Sequence, residues 1–414
     1  MTLSFPKIRL TASTRTFILI TAFLNLAGIG IINPVYPFIV QKYVAPPDQA
    51  TVIAMLFSSY AFFQFFFVPL LGALSDRFGR RPVLLISLVG SAFGYFIFGI
   101  GGSLAILFLG RIIDGITGGN LAAIYAFAAD ITEPKDRTRF FGVIGAVSGL
   151  GFVVGPALGG LLYSITGIYE SPVYFAAIVT LLNTVWGVSV MPESLPQSKR
   201  QKVEARRLNP FTQLFSALTL PQTRLLLTAV FIWAVAFALL QANLGQMLKD
   251  VFRWDVSQTS VIFFIVGVMG IITQGVLIRR LLPRFGEGRL AIAGLVIQAG
   301  GFALTSFTIL LRVEFLVYFC PIFVAVGNGL IIPAITGLMS SAVSAQEQGK
   351  VQGGNQSVQA LGRVVGPIAV PSSYAVSPAG PYMLGTVGLL VAALFAAASL
   401  PVLTAYKKKH PPAS

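Results

Sequence analysis

The chain has 414 residues, 29 of them basic and 14 acidic, for a formal net charge of +15. Hydrophobic side chains make up 55% of it and charged ones 10%, far below the roughly 25% charged residues of a soluble globule, so a water-soluble fold is excluded. A single cysteine, Cys320, and a single histidine, His410, exclude an internal disulfide, zinc clusters and histidine-based triads, and with them most enzyme classes.

The apolar residues come in runs of about 20 or more, the length that crosses roughly 30 Å of hydrocarbon as a helix. In chain order they predict spans at about 17–40, 51–74, 83–101, 104–128, 139–163, 172–191, 224–247, 258–281, 289–311, 314–342, 350–373 and 381–405. The expected fold class is therefore an all-α membrane protein of twelve transmembrane helices. The first run follows Lys7, Arg9 and Arg15, but it is too long for a secretion-signal core and lacks a small-residue cleavage site, so it reads as a retained span.

Basic residues alternate along the connections. One side collects the N-terminal tail with Lys7, Arg9 and Arg15; then Arg77, Arg80 and Arg81; Lys135, Arg137 and Arg139; Lys199, Arg200, Lys202, Arg206, Arg207 and Arg224; Arg279, Arg280, Arg284 and Arg289; Lys350; and Lys407, Lys408 and Lys409. The other side has Lys42, Lys249, Arg253 and Arg312. Loops rich in Lys and Arg stay cytoplasmic, so both termini are expected there, in a plasma membrane of the bacterial inner-membrane type. The net charge is a topology signal and a contact with anionic lipid, not a nucleic-acid footprint.

The chain also repeats itself. Gly142, Gly151, Gly155 and Pro156 recur with the same spacing as Gly353, Gly362, Gly366 and Pro367. Gly72 with Phe78-Gly79 answers Gly275 with Phe285-Gly286. Two pseudo-symmetric six-helix halves follow, 1–191 and 224–414, joined by a polar, basic cytoplasmic linker at 192–223, and parallel halves of this kind hold a solute at their interface near mid-membrane.

The stretch Gly72-Ala-Leu-Ser-Asp76-Arg77-Phe-Gly79-Arg80-Arg81-Pro82 resembles the signature loop between helices two and three of the major facilitator superfamily. Gly142, Gly151, Gly155, Pro156, Gly159 and Gly160 resemble the fifth-helix motif of its drug:proton antiporters. Gly28 followed by Pro34-Val35-Tyr36-Pro37, and Met191-Pro192-Glu193-Ser194-Leu195, resemble the twelve-helix antiporter branch, and Gly110-Arg111 with Gly115-Ile116-Thr117-Gly118 is similar to the tetracycline-efflux-like proteins within it. The resemblance implies a major facilitator fold and a cluster around Asp76, Arg77, Gly79, Arg80, Arg81 and Asp130 that latches the cytoplasmic side; the alternative is that these charges only set topology. The fifth-helix glycines, with Pro156 bending the helix, suit either a moving interface or tight static packing.

Charges inside the bilayer need a partner, a watery cavity or a function, and three stand there: Arg111, Asp114 and Arg363. Arg111 and Asp114, three residues apart, share a helix face and read either as an internal ion pair or as a protonatable Asp114 tuned by Arg111. The resembling pattern places an acid where Asn25 stands, and an amide carries no proton at physiological pH, so Asp114 would have to take over coupling. Asn25, Tyr36 and Asn33 make one side of helix one polar, by interhelical bonding or by lining a path. Gln352, Gln356, Gln359 and Arg363 fall within about 40° of one another on helix eleven. Gln64, Gln241, Asn243 and Gln246 extend the candidate lining.

The reading is a carrier, not an enzyme, that works as a monomer without cofactor and exports a small amphipathic or drug-like solute in exchange for protons by alternating access. The alternatives are a permease or facilitator for a sugar, organic acid or other metabolite, and a non-transporting receptor or assembly factor on a carrier scaffold. With no nucleotide-binding loop, energy must come from gradients.

Overall fold

The computed structural model describes residues 12–200, 209–343 and 347–409; Lys7, Arg9, Lys202, Arg206, Arg207 and His410 lie outside the described residues. Span 1 runs from Ala12–Ile32 through a tight turn at Asn33–Val35 into Tyr36–Val40. Pro34 and Pro37 lack the amide donors that an unbroken α-helix would use there. Span 2 is Pro46–Phe78 and span 3 Arg80–Ile100. Span 4 is broken at Gly118-Gly119 into Leu104–Thr117 and Asn120–Ile131. Span 5 is Pro134–Thr166 and span 6 Ser171–Val190. A linker helix, Pro210–Leu218, precedes span 7, Pro221–Phe252.

Span 8, Val256–Ile272, continues through a π-helical turn at Thr273–Leu277 and ends at Gly286, where the chain folds back as span 9 to Leu311. Span 10 is Cys320–Ser340, span 11 Gln348–Ile368 with Val370–Val376, and span 12 Gly380–Lys409. Among the described residues, ten segments are long and apolar enough to cross a membrane. One of them, Val256–Leu311, holds spans 8 and 9, and span 11 falls short because of its glutamines, which completes the twelve expected from the sequence. Several helices outrun their apolar runs: span 2 reaches Phe78 and span 7 takes in Asp250. A helix satisfies its own backbone, so it need not stop where the hydrocarbon does.

Spans 1–6 and 7–12 each pack around their own buried residues, Phe17, Leu84, Phe98 and Phe127 in one half and Trp233, Leu295, Phe302 and Leu389 in the other. Span 5 lies against span 1 because Gly151, Gly155 and Gly159 face the backbone of Phe23, Ala27 and Ile31. A methyl group at Gly155 would sit 2.5 Å from the Ala27 carbonyl oxygen. The two repeated turns are alike in backbone: Gly79 has φ 111°, ψ 160° and Gly286 φ 72°, ψ 165°. L side chains rarely adopt this region, which is why glycine recurs at both.

The charges around the first of these turns tie one half together. Arg80 binds Asp76 at 2.6 Å and, through Nε, Asp130 at 3.0 Å. Ser194 also donates to Asp130, at 3.0 Å. The Glu193 carboxylate accepts from the amides of Arg80 at 2.8 Å and Arg81 at 3.3 Å, so an anion from the end of span 6 caps the positive start of span 3. Arg77 stacks on Phe78.

The halves meet at one end and part at the other. Alternation along the chain puts the connections after spans 2, 4, 6, 8 and 10 on one face, here the basic face, and the rest on the far face. Near the far face Ala50 and Ala54 of span 2 pack with Leu239 and Ala242 of span 7 and Val370 of span 11. There Gln49 Oε1 accepts from Gln246 at 3.2 Å and Lys249 at 2.6 Å. Ser58 reaches the Val364 carbonyl at 3.0 Å in mid-span, and Gly267 and Gly160 of the span 5/8 contact touch Val153 and Ser260. Toward the basic face, nothing lies within 4 Å of a methyl placed on Gly72, Gly142, Gly149, Gly270 or Gly275. These contacts between the halves run from the far face to mid-span and close the interface at the far face.

Two variants check this packing by thermal unfolding of the detergent-purified protein. Gly155→Leu should lose about 1–3 kcal/mol by forcing span 1 off span 5, whereas Gly142→Ala should be within about 0.5 kcal/mol of the parent. Glu193→Ala should cost about 1–2 kcal/mol through the lost cap of span 3, with Glu193→Gln retaining part of it.

Candidate functional site

Span 4 supplies the charged centre. Arg111 and Asp114 follow Gly110 and precede Gly115, and these glycines let span 4 lie close to its neighbours: Gly110 faces Phe98 and the Gly94 carbonyl of span 3, Gly115 the Tyr60 carbonyl of span 2. The result is a buried pair, Arg111 7% and Asp114 3% exposed, with Arg111 Nη1 donating to Asp114 Oδ2 at 2.7 Å. Two tyrosines complete the cage. The Arg111 guanidinium stands 4.1 Å from the Tyr60 ring centroid and 5.6 Å from that of Tyr36. Cation–π contacts of this kind are strongest when desolvated. Arg111 Nε and the Tyr36 hydroxyl are buried without a hydrogen-bond partner among the described residues.

From Tyr60 the site extends to the cleft. Gln64, one turn along span 2, donates to the Tyr60 hydroxyl at 2.9 Å and to the Gly118 carbonyl at 3.1 Å, the latter at the break in span 4. From the other half, Arg363 lies in electrostatic range of Tyr60. Arg363 and Gln356 are exposed and Gln352 and Gln359 half-buried, on a face roughly 140–200° around span 11 from the exposed Val365 and Ile368. Arg363 lies at least 13 residues from either end of Gln348–Val376, too far for its side chain to reach the membrane surface. The span 11 stripe therefore faces the cleft. Gln352 also donates to the Thr336 carbonyl at 3.2 Å, and Gln359 to Asn355 at 3.1 Å.

The other sequence candidates are placed differently. Asn25 lines a small polar cavity inside the first half with Thr21, Ser91, Tyr95, Asn120 and Asn183. Asn33, which is buried, lies about 80° around span 1 from Asn25 and near Gly245 of span 7. Asn243 is fully buried in the second half beside Tyr382, and Gln241 is half-buried. Gly160 and Val153 touch span 8, but Gly151, Gly155, Gly159 and Pro156 pack on span 1 of the same half. The Asp76, Arg80 and Asp130 cluster likewise joins spans 2, 3 and 4 within one half.

Sequence reasoning did not single out Tyr60, Ser91, Asn120 or Asp250. Tyr60 and Gln64, one turn apart in an apolar run, were the available signal. Asp250 accepts from Gln246 at 2.7 Å and from Tyr374 at 2.8 Å near the far face, which ties span 11 to span 7 beside the Gln49 contact.

The Major Facilitator Superfamily pattern matches residues 18–367. The chain is 35% identical over 361 residues to the tetracycline resistance protein, class C, of Escherichia coli, with 87% of this chain and 89% of that one covered. It is 27% identical over 383 residues to multidrug resistance protein 1 of Bacillus subtilis (strain 168), covering 91% and 94%. Among solved structures it is similar to the human organic anion transporter MFSD10 (TETRAN), with a TM-score of 0.70 at 24% identity over 93% of this chain and 99% of that one. The twelve helices in two six-helix halves, the signature turn at Gly79 and the extent of these matches lead to one conclusion: the chain is a multi-pass membrane transporter that belongs to the major facilitator superfamily.

Proposed function

We propose that this transporter exports an amphipathic, drug-like solute in exchange for protons, with Asp114 as the proton-accepting group and Arg111 as its counter-charge. The observation that carries the reading is the buried Arg111–Asp114 pair, held at 2.7 Å between two tyrosines in mid-span. A charged pair in such surroundings is tolerated because each charge answers the other. A proton on Asp114 removes that answer and leaves a buried guanidinium to find new partners, and only a change that acts differently on two conformations can shift the balance between them. The relatives named for tetracycline and multidrug resistance support the solute class.

In this reading the basic face is cytoplasmic, both termini with it, and the described form is open inward. The units that rock are 1–191 and 224–414, with 192–223 as the tether. Solute enters the cleft from the basic face and meets Gln64, Tyr60, Gln356 and Arg363. Loss of the solute and protonation of Asp114 belong to the outward-open form, which requires Gln49 to part from Gln246 and Lys249 at the far face.

The test uses purified protein in liposomes with an imposed pH gradient and tetracycline first in a panel of amphipathic solutes. Asp114→Asn should reduce gradient-driven transport by on the order of a hundredfold while solute-for-solute exchange across the membrane persists, and Asp114→Glu should retain coupling. Undiminished gradient-driven transport by Asp114→Asn overturns the assignment; a downhill flux indifferent to pH gradients and protonophores points to a facilitator instead.

A further inference from the structure

Asp114 is sealed from the solute cleft, 3% exposed behind Arg111, Tyr36 and Tyr60, and a carboxylate that exchanges protons needs a path to water. The first half holds a row of polar groups leading away from Asp114 on the side opposite the cleft-facing Tyr60. Ser91 of span 3 stands one turn from Gly94, which packs on the Asp114 Cβ, and this places it in electrostatic reach of the Asp114 carboxylate. Asn120 Nδ2 donates to Ser91 Oγ at 3.3 Å, which leaves the Ser91 hydroxyl proton free to point at Asp114. Asn120 is 1% exposed, and its Oδ1 is buried with no partner among the described residues. Buried acceptors of this kind are satisfied by ordered water.

Ser91, Asn120 and Asn25 line the same small polar cavity between spans 1, 3, 4 and 6. Asn25 is the least buried of its polar walls, and Asn120 stands six residues further along span 4 toward the basic face than Asp114. The break at Gly118-Gly119 sets the two parts of span 4 apart, and Asn120 opens the second part.

Resting on the export reading above, we propose that the proton leaves Asp114 through Ser91 and a water held by Asn120 inside the first half, a route separate from the solute path. The protonated carboxyl passes its proton to Ser91 Oγ as the Ser91 hydroxyl gives its own to that water, so Ser91 Oγ gains one proton and loses one, the carboxyl is left ionised and the water carries the proton on. The water passes the charge on toward Asn25 and the basic face. Asn120 moves no proton itself; it is a positioning residue that holds the water through Oδ1 and orients Ser91 through Nδ2. The groups facing Asp114 are Arg111 on its own span, Tyr36 of span 1, Tyr60 of span 2 and Tyr95 of span 3. Of these only Tyr95 borders the cavity.

The experiment follows the Asp114 carboxyl by time-resolved infrared spectroscopy after a pH jump on the full-length protein in liposomes, the band being identified by its loss in Asp114→Asn. Ser91→Ala should slow its deprotonation by on the order of tenfold, Ser91→Thr should restore the rate, and Asn25→Leu, which fills the cavity, should slow it without touching Asp114. Melting temperature and solute exchange measured on each variant separate this effect from misfolding. Unchanged rates in both Ser91→Ala and Asn25→Leu overturn the route while leaving the export reading in place. A wild-type carboxyl band that does not respond to pH overturns both.

Discussion

One buried ion pair sets the conditions for the centre of this molecule. Two unit charges cannot be left in hydrocarbon without partners, and Arg111 and Asp114 meet that constraint by facing each other at 2.7 Å on a single helix. Burying both requires that span 4 approach spans 2 and 3 closely, which the glycines at 94, 110 and 115 allow. It also requires that the guanidinium, which has more donors than one carboxylate can accept from, be covered by something other than lipid, and the rings of Tyr60 and Tyr36 do this. The pair, the glycines and the tyrosines are thus one arrangement, and each would be costly without the others.

The two halves share a backbone plan but not a chemistry. The turns at Gly79 and Gly286 have the same unusual backbone, and spans 9 and 10 approach through Gly294 and Gly327 as spans 3 and 4 do through Gly94 and Gly110. Where the first half buries a charged pair, the second buries neutral groups, with Trp233 donating to Gln298 at 3.0 Å. Its one mid-span cation, Arg363, faces the cleft and makes no ion pair among the described residues. This division suits a carrier in which one half responds to protons and the other presents groups to the solute.

Span counting succeeded because a helix that crosses lipid must satisfy its own backbone and present apolar side chains over a set length, and both requirements are local. All twelve spans follow from apolar runs in the sequence; the structure joins two of them, spans 8 and 9, in one continuous helical segment turned at Gly286. The closeness of Arg111 to Asp114 was legible for the same local reason, since three residues on a helix fix the distance. Tyr60 and Ser91 were not legible, because they reach the pair from other helices, and no pattern along one helix reports how it is rotated against its neighbour. The glycines at 151, 155 and 159 show the same limit: their spacing announced a close contact, but only packing revealed span 1 as its partner.

By itself, then, the sequence determined the solvent, the number of crossings, the duplication and which charges would stand in the membrane, all consequences of composition and of the regular rise of a helix. Only the tertiary structure decided which end of the interface is closed and which neighbours Asn25 and Asn33 meet. It also decided that Asp114 is shut off from the cleft while a polar cavity lies beside it. These depend on the rotation and tilt of helices about one another, which are set by many weak contacts between residues distant in the chain.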